Sequence, residues 1–214
     1  MKHPLRILVT AGPTRERIDP VRFLSNPSSG RMGFAVAARA AKRGHRVMLV
    51  SGPVDLADPP GVSVTQVETA AQMARAVGRA FATCDAVVMT AAVADYTPAR
   101  PARAKLKKTG RPLVLRLIPT QDILSGLGRR KGRRVLIGFA LETGGELRNA
   151  REKLMRKNLD LIVANRPESF GGPTIRATLL FRDGRVERLP LLRKEALAGR
   201  LIREIEGACR CSKA

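Results

Sequence analysis

The sequence predicts an α/β fold on a mostly parallel sheet. Three observations carry that reading: short apolar runs alternate with helix-length segments, their spacing follows the βαβ rhythm, and 214 residues suffice for one sizeable core. A strand at residues 7–10, a helix at 33–42 and a strand at 46–51 open the pattern. Residues 62–67 add a strand. Thr69 is placed to cap a helix running to residue 80, because its hydroxyl can accept from a free backbone N–H. The apolar run 86–90 reads as a buried strand.

Further on, residues 113–117 are expected to form a strand, and Thr120 or Asp122 to open a short helix. A strand at 135–140, a helix at 146–157 and a strand at 161–164 follow. Asp183-Gly184, between apolar runs at 178–182 and 185–189, signals a tight hairpin, and a last helix covers 194–205. The polar stretches 12–29 and 96–111 are expected to be irregular; loops of that length inside one domain are usually functional or disordered. The domain is expected to span residues 1–207, with a basic tail at 208–214.

Forty Lys and Arg against 18 Asp and Glu give a net charge of +22, which attracts anions. No Trp, a single Tyr and six Phe leave few platforms for stacking bases, so small phosphorylated molecules are favoured over nucleic acid. No apolar run approaches the roughly 20 residues needed to cross a bilayer, and no secretory segment opens the chain, so a cytoplasmic location without membrane contact is expected. Cys84, Cys209 and Cys211 match neither a disulfide framework nor a complete zinc site.

Four constellations could carry chemistry. The first is Gly12 with Ser28, Ser29 and Gly30: small residues after a first strand, then a helix start whose free N–H groups suit a phosphate or carboxylate. It lacks the lysine of a P-loop and the glycine spacing of a dinucleotide fold. Within it, the Asn26 amide could donate to a carboxylate or oxyanion, and equally Asn26-Pro27 could simply form a turn. The second is Ala91, Ala92, Val93 and Asp95 beyond the strand at 86–90. Small residues there allow close approach of a nucleotide, and Asp95 could meet a base, a ribose or a metal-bound water, or cap a turn. The third is the Lys105 to Lys108 run, either a lysine that closes over a triphosphate or a solvated basic loop. The fourth is Lys153 and Lys157, which share one helix face and could hold phosphate oxygens or complement the helix dipole.

Taken together and in order, the stretches LVTAGPTRERIDPVRFLSNPSSGRMGFAVA, TAAVADYTPAR with AKLKK, TQDIL, GFALET and KLMRKNLDLIVAN resemble the phosphopantothenoylcysteine synthetase family. The resemblance implies a Rossmann-like, mostly parallel sheet with helices on both faces and an antiparallel dimerisation extension, each site being completed by the partner of a homodimer. It implies activation of 4′-phosphopantothenate by CTP to an acyl-cytidylate, with Mg2+ or another divalent ion, followed by coupling to cysteine. By motif position, Asn26 resembles the residue that engages the acyl intermediate and Lys105 the lysine needed to form it. Asp95, Phe139, Lys153, Lys157, the Ala91 to Val93 backbone, and Gln121, Asp122, Ile123 and Leu124 match nucleotide-contacting positions. No particular metal ligands follow from it.

The chain departs from the family at Thr120-Gln121-Asp122, where a proline is common before the Asp, and at Ile175, where the family flap carries an Asn. No decarboxylase segment precedes Met1, so a freestanding synthetase or an excised domain, with a separate decarboxylase as a possible partner, is expected. Two other readings stand beside it: a nucleotide- or RNA-binding module of the same fold without activity, and a nicotinamide-dependent reductase, which the missing fingerprint opposes.

Overall fold

A computed structural model describes residues 3–141, 146–165 and 171–211. The strands are β1 (Arg6–Ala11), β2 (Arg15–Arg17), β3 (Phe23–Ser25), β4 (Arg46–Ser51), β5 (Val62–Gln66), β6 (Ala86–Met89), β7 (Tyr96–Pro98), β8 (Leu117–Pro119), β9 (Val135–Leu141), β10 (Leu161–Asn165), β11 (Thr174–Ile175), β12 (Ala177–Phe181), β13 (Val186–Arg188) and β14 (Leu192–Arg193). The helices are α1 (Arg31–Lys42), α2 (Ala70–Phe81), α3 (Ile123–Arg129), α4 (Glu146–Arg156) and α5 (Lys194–Cys211).

The period of two along the central strands sorts the core into two layers. Ile7, Val9 and Ala11 of β1 and Ala86 and Val88 of β6 face α1 and α5, meeting Phe34, Ala37, Leu197 and Leu201. Leu8, Val87 and Met89 point the other way, against Met73 and Val77 of α2, Leu127 of α3 and Leu154 of α4. Both faces of the strands are therefore apolar, which is why these runs read as continuous rather than alternating.

The main sheet runs β13-β12-β10-β9-β6-β1-β4-β5. Its six strands from β10 to β5 are parallel, and β12 and β13 add an antiparallel edge. The connection after β1 leads to β4 and β5 on one side, and the chain then crosses to β6 on the other. This is the Rossmann strand order, with its switch between β1 and β6. Thr69 forms a full capping box with Gln72 at the start of α2, as its position in the sequence predicts.

Three expectations change. Residues 113–116 are not a strand: Leu113 and Val114 are exposed, and the strand begins at Leu117, where β8 pairs with β7. Both long polar stretches contain short strands, β2 with β3 in the first and β7 in the second. The last helix, expected to end at residue 205, continues to Cys211 and buries Cys209 against the α1 layer. At its base, Glu206 accepts a bidentate pair from Arg43, both at 2.7 Å, and meets His45 Nε2 at 3.0 Å. The Leu5 N–H donates to Nδ1 of the same ring. Cys84 lies in the opposite layer, where burial pushes its thiol up to about 11.

Candidate active site

The carboxyl ends of β1 and β6 part at the switch, and α1 starts in the gap. Helix α1 can approach so closely because its third residue has no side chain: a Cβ on Gly33 would lie 2.5 Å from Ala11 Cβ and 2.6 Å from Thr90 Oγ1. Gly30 caps the helix at φ 74 with no side-chain hydrogen bond to its first turn, and Gly30, Arg31, Met32 and Gly33 border the cleft.

Across from it, the loop after β6 is fixed by threonines. Thr10 Oγ1 accepts from Ala91 N at 3.2 Å, Thr14 Oγ1 accepts from Ala94 N at 2.9 Å, and Thr120 donates to the Ala94 carbonyl at 2.6 Å. Asn26 joins the two walls: its Nδ2 donates to the carbonyls of Ala92 at 3.2 Å and Val93 at 3.4 Å. The amide thus rests on the backbone that the second constellation contributes.

A cavity of roughly 630 Å³ opens here, beyond the strand ends. Asn26, Ser28, Ser29, Gly30, Ala91, Ala92, Val93, Asp95, Gln121, Asp122, Ile123, Leu124, Phe139, Lys153 and Lys157 all line it. Fifteen positions from separate segments thus share one concave surface, the place where open α/β sheets hold ligands. Asp122 caps α3 through Ser125 N and pairs with Lys157. Burial pushes its carboxyl up, but the Ser125 N–H and the Lys157 ammonium outweigh this and hold it below the ordinary range.

Two expected site residues lie outside the lining. Gly12 sits behind it, its carbonyl accepting from Ala92 N at 2.9 Å, and so supports the loop rather than facing a ligand. Lys105 is exposed, on a segment attached to the turn between β2 and β3. Conversely, Arg31 and Lys194 line the cavity and were not singled out. Lys194 is 5% exposed; burial, and then the charge of Arg31, lower its ammonium. A lysine opening a helix opposes the helix dipole, and that local conflict was the available signal.

Among the described residues no group of three or more His, Cys, Asp or Glu is placed to cage a cation. Asp95 and Asp122 are the carboxylates that line the cavity among the described residues; both are exposed, and Asp122 is paired with Lys157. Such a donor set fits a hydrated magnesium carried by phosphate oxygens, which binds through few carboxylates.

Strand order and cleft define an α/β protein of the Rossmann type whose cavity lies at the topological switch. The chain belongs to the family described as DNA/pantothenate metabolism flavoprotein C-terminal domain, which matches residues 3–208. It is 45% identical over 204 residues to the coenzyme A biosynthesis bifunctional protein CoaBC of Bacillus subtilis (strain 168), covering 93% of this chain and 50% of that protein. For CoaBC of Escherichia coli (strain K12) the identity is 46% over 213 residues, covering 96% and 52%. The chain thus spans about half the length of these curated relatives. Among solved structures, the C-terminal domain of CoaBC superposes with a TM-score of 0.82 at 43% identity, covering 95% of this chain and 94% of that one. No helix among the described residues is long and apolar enough to cross a membrane.

Proposed function

We propose that the chain is a phosphopantothenate–cysteine ligase of coenzyme A biosynthesis that uses CTP. The observation that carries this is the gathering of Asn26, the α1 N-terminus, the 91–95 loop, residues 121–124, Phe139 and the two α4-side lysines around one cavity. Likeness to a CoaBC C-terminal domain over nearly its whole length supports it.

In the first step a carboxylate oxygen of 4′-phosphopantothenate bonds to the α-phosphorus of CTP. The bond from that phosphorus to the bridging oxygen breaks, and pyrophosphate leaves with the electron pair. In the second, the cysteine amine bonds to the acyl carbon, the acyl C–O bond breaks with its electrons leaving on CMP, and the amine gives up a proton. Neither step needs a protein nucleophile. The protein aligns two phosphorylated substrates and supplies positive charge where pyrophosphate departs. Lys153 and Lys157 line the cavity and would meet the triphosphate there, and the small side chains at Ala91 and Ala92 would leave room for close approach. Magnesium would neutralise charge on the triphosphate, with Asp95 within the cavity to accept from its waters.

Asn26 must exchange its bonds to Ala92 and Val93 for the acyl carbonyl to be served by its amide. Lys105 lies outside the cavity of its own chain, which fits a lysine that serves the cavity of a second copy. The β7–β8 arm carries Tyr96, Leu117 and Ile118 exposed, with Leu113 and Val114 beside it, an apolar surface that such a homodimer would cover.

The test is pyrophosphate release from purified protein given 4′-phosphopantothenate and magnesium, with CTP or ATP, with and without cysteine. Release with CTP is expected. Release with ATP alone would change the nucleotide, and silence with both would favour a binding module of the same fold.

A further inference from the structure

The turn between β2 and β3 contains a carboxylate with no role in the chemistry above. Asp19 is 1% exposed, yet it lies on a surface hairpin. Its Oδ1 accepts from Val21 N and Arg22 N, both at 2.8 Å, which closes the turn. Its Oδ2 accepts from the Arg22 guanidinium, through Nε at 3.0 Å and through Nη2, and from Leu106 N at 3.1 Å. Arg22 Nη2 in turn donates to the Leu106 carbonyl at 2.8 Å. Both backbone polar groups of Leu106 are therefore held by one ion pair more than eighty positions earlier in the chain. A third backbone bond, Ala102 N to Ile18 O at 2.8 Å, fixes the other side of the segment.

Leu106 follows Lys105 directly, so the ion pair sets the course of the backbone that carries the lysine. The hairpin is itself anchored at its far end. Glu16 is 4% exposed and accepts from Ala70 N at the start of α2, and Arg17 pairs with Glu68 at 2.7 Å. Its second strand, β3, ends at Ser25, and Asn26 follows at once. The hairpin is thus a short hydrogen-bonded link with Asn26 at one end and the Lys105 segment at the other.

We infer that Asp19 is a positioning residue for Lys105: through Arg22 and the Leu106 backbone it holds the 102–108 segment in the path that presents the lysine for the activation step. Five accepted hydrogen bonds on a shielded carboxylate exceed what a surface turn requires. Two of the donors close the turn, and the others orient Arg22 and secure the segment. The inference rests on the proposed ligase reaction, since it gives Lys105 its task.

The experiment uses the full chain with Asp19→Asn, and independently Arg22→Ala, which removes the guanidinium that joins Asp19 to the Leu106 carbonyl. Three measurements are made on each: hydrogen exchange of residues 102–108, pyrophosphate release, and coupling of cysteine to supplied acyl-cytidylate. Faster exchange is expected in both variants. Pyrophosphate release should fall on the order of a hundred-fold, the usual consequence of about an ångström of misplacement, while coupling is retained. Asp19→Asn combined with Lys105→Ala should be no slower than Lys105→Ala alone. Unchanged exchange overturns the anchor whatever the activity. Faster exchange with normal pyrophosphate release, or equal loss of both half-reactions, overturns the positioning role. A wild-type protein that releases no pyrophosphate with either nucleotide overturns the ligase reading instead, and with it the task assigned to Lys105.

Discussion

Lys157 Nζ lies 3.0 Å from Oδ1 and 2.9 Å from Oδ2 of Asp122, so the cavity's lysine is bound to the residue that caps α3. On the proposed function, a triphosphate entering the cavity must compete for that ammonium. Asp122→Ala is expected to tighten CTP binding about two- to five-fold, the worth of a partly exposed ion pair. Loss of the cap should lower stability by about 1 kcal/mol. Nucleotide titration and urea unfolding of the same variant check both. The pH dependence has a definite sign. The folded carboxyl lies below its ordinary 3.8, so its contribution is present above that value and lost as pH falls through the lower one.

Asn26 and Lys105 are expected to divide the two half-reactions. Asn26→Ala should still release pyrophosphate but couple cysteine slowly, by on the order of a hundred-fold, the scale for loss of one oxyanion donor. Lys105→Ala should fail at activation and still process supplied acyl-cytidylate. Single-turnover assays of each step decide it; the division fails if both variants lose both steps equally.

Much of the site was legible because it follows local rules. Residues 91–93 are small, lie just past an apolar run and fall at the end of β6, and Ser28 to Gly30 precede a helix whose first turn must face outward. Other features depend on contacts distant in sequence. Nothing near Lys105 shows that its neighbour is tied to Asp19, nor does anything near Lys194 show that α5 begins beside Arg31. The strand expected at 113–117 failed for a related reason. An apolar run predicts a strand, but Leu113 and Val114 are exposed, with no layer among the described residues to cover them. The short strands β2 and β3 were hidden because their polar residues serve anchoring: Glu16 and Arg17 bind the α2 entrance instead of alternating with an apolar face.

Gly33→Ala should be costly although it improves helix propensity. The added methyl would meet Ala11 Cβ, Thr90 Oγ1 and the Thr10 carbonyl at 2.5, 2.6 and 2.8 Å, so α1 must move off the strand ends. A loss of about 1–3 kcal/mol is expected, together with weaker nucleotide binding as the α1 N-terminus shifts. Gly78→Ala in α2 is the control. A methyl there has nothing within 4 Å and should raise stability by about 0.5–1 kcal/mol. Urea midpoints that move the same way in both variants would contradict this account.

Lys194 supplies a final test of how the cavity shares its charge. Lys153 and Lys157 come from the α4 side of the sheet, whereas Arg31 and Lys194 open α1 and α5 on the other face. On the proposed reaction, two phosphorylated substrates need two cationic ends, so Lys194→Met is expected to weaken 4′-phosphopantothenate binding about ten-fold and leave CTP binding nearly unchanged. Burial, then Arg31, lowers this ammonium below the ordinary 10.5. The folded state therefore releases its proton first, and stability rises with pH through that window. Affinity for the phosphate falls over the same range in the wild type, and the methionine variant should lack both slopes. Calorimetric titration of each ligand at neutral and alkaline pH checks the assignment, and equal weakening of both ligands would remove the division between the two ends.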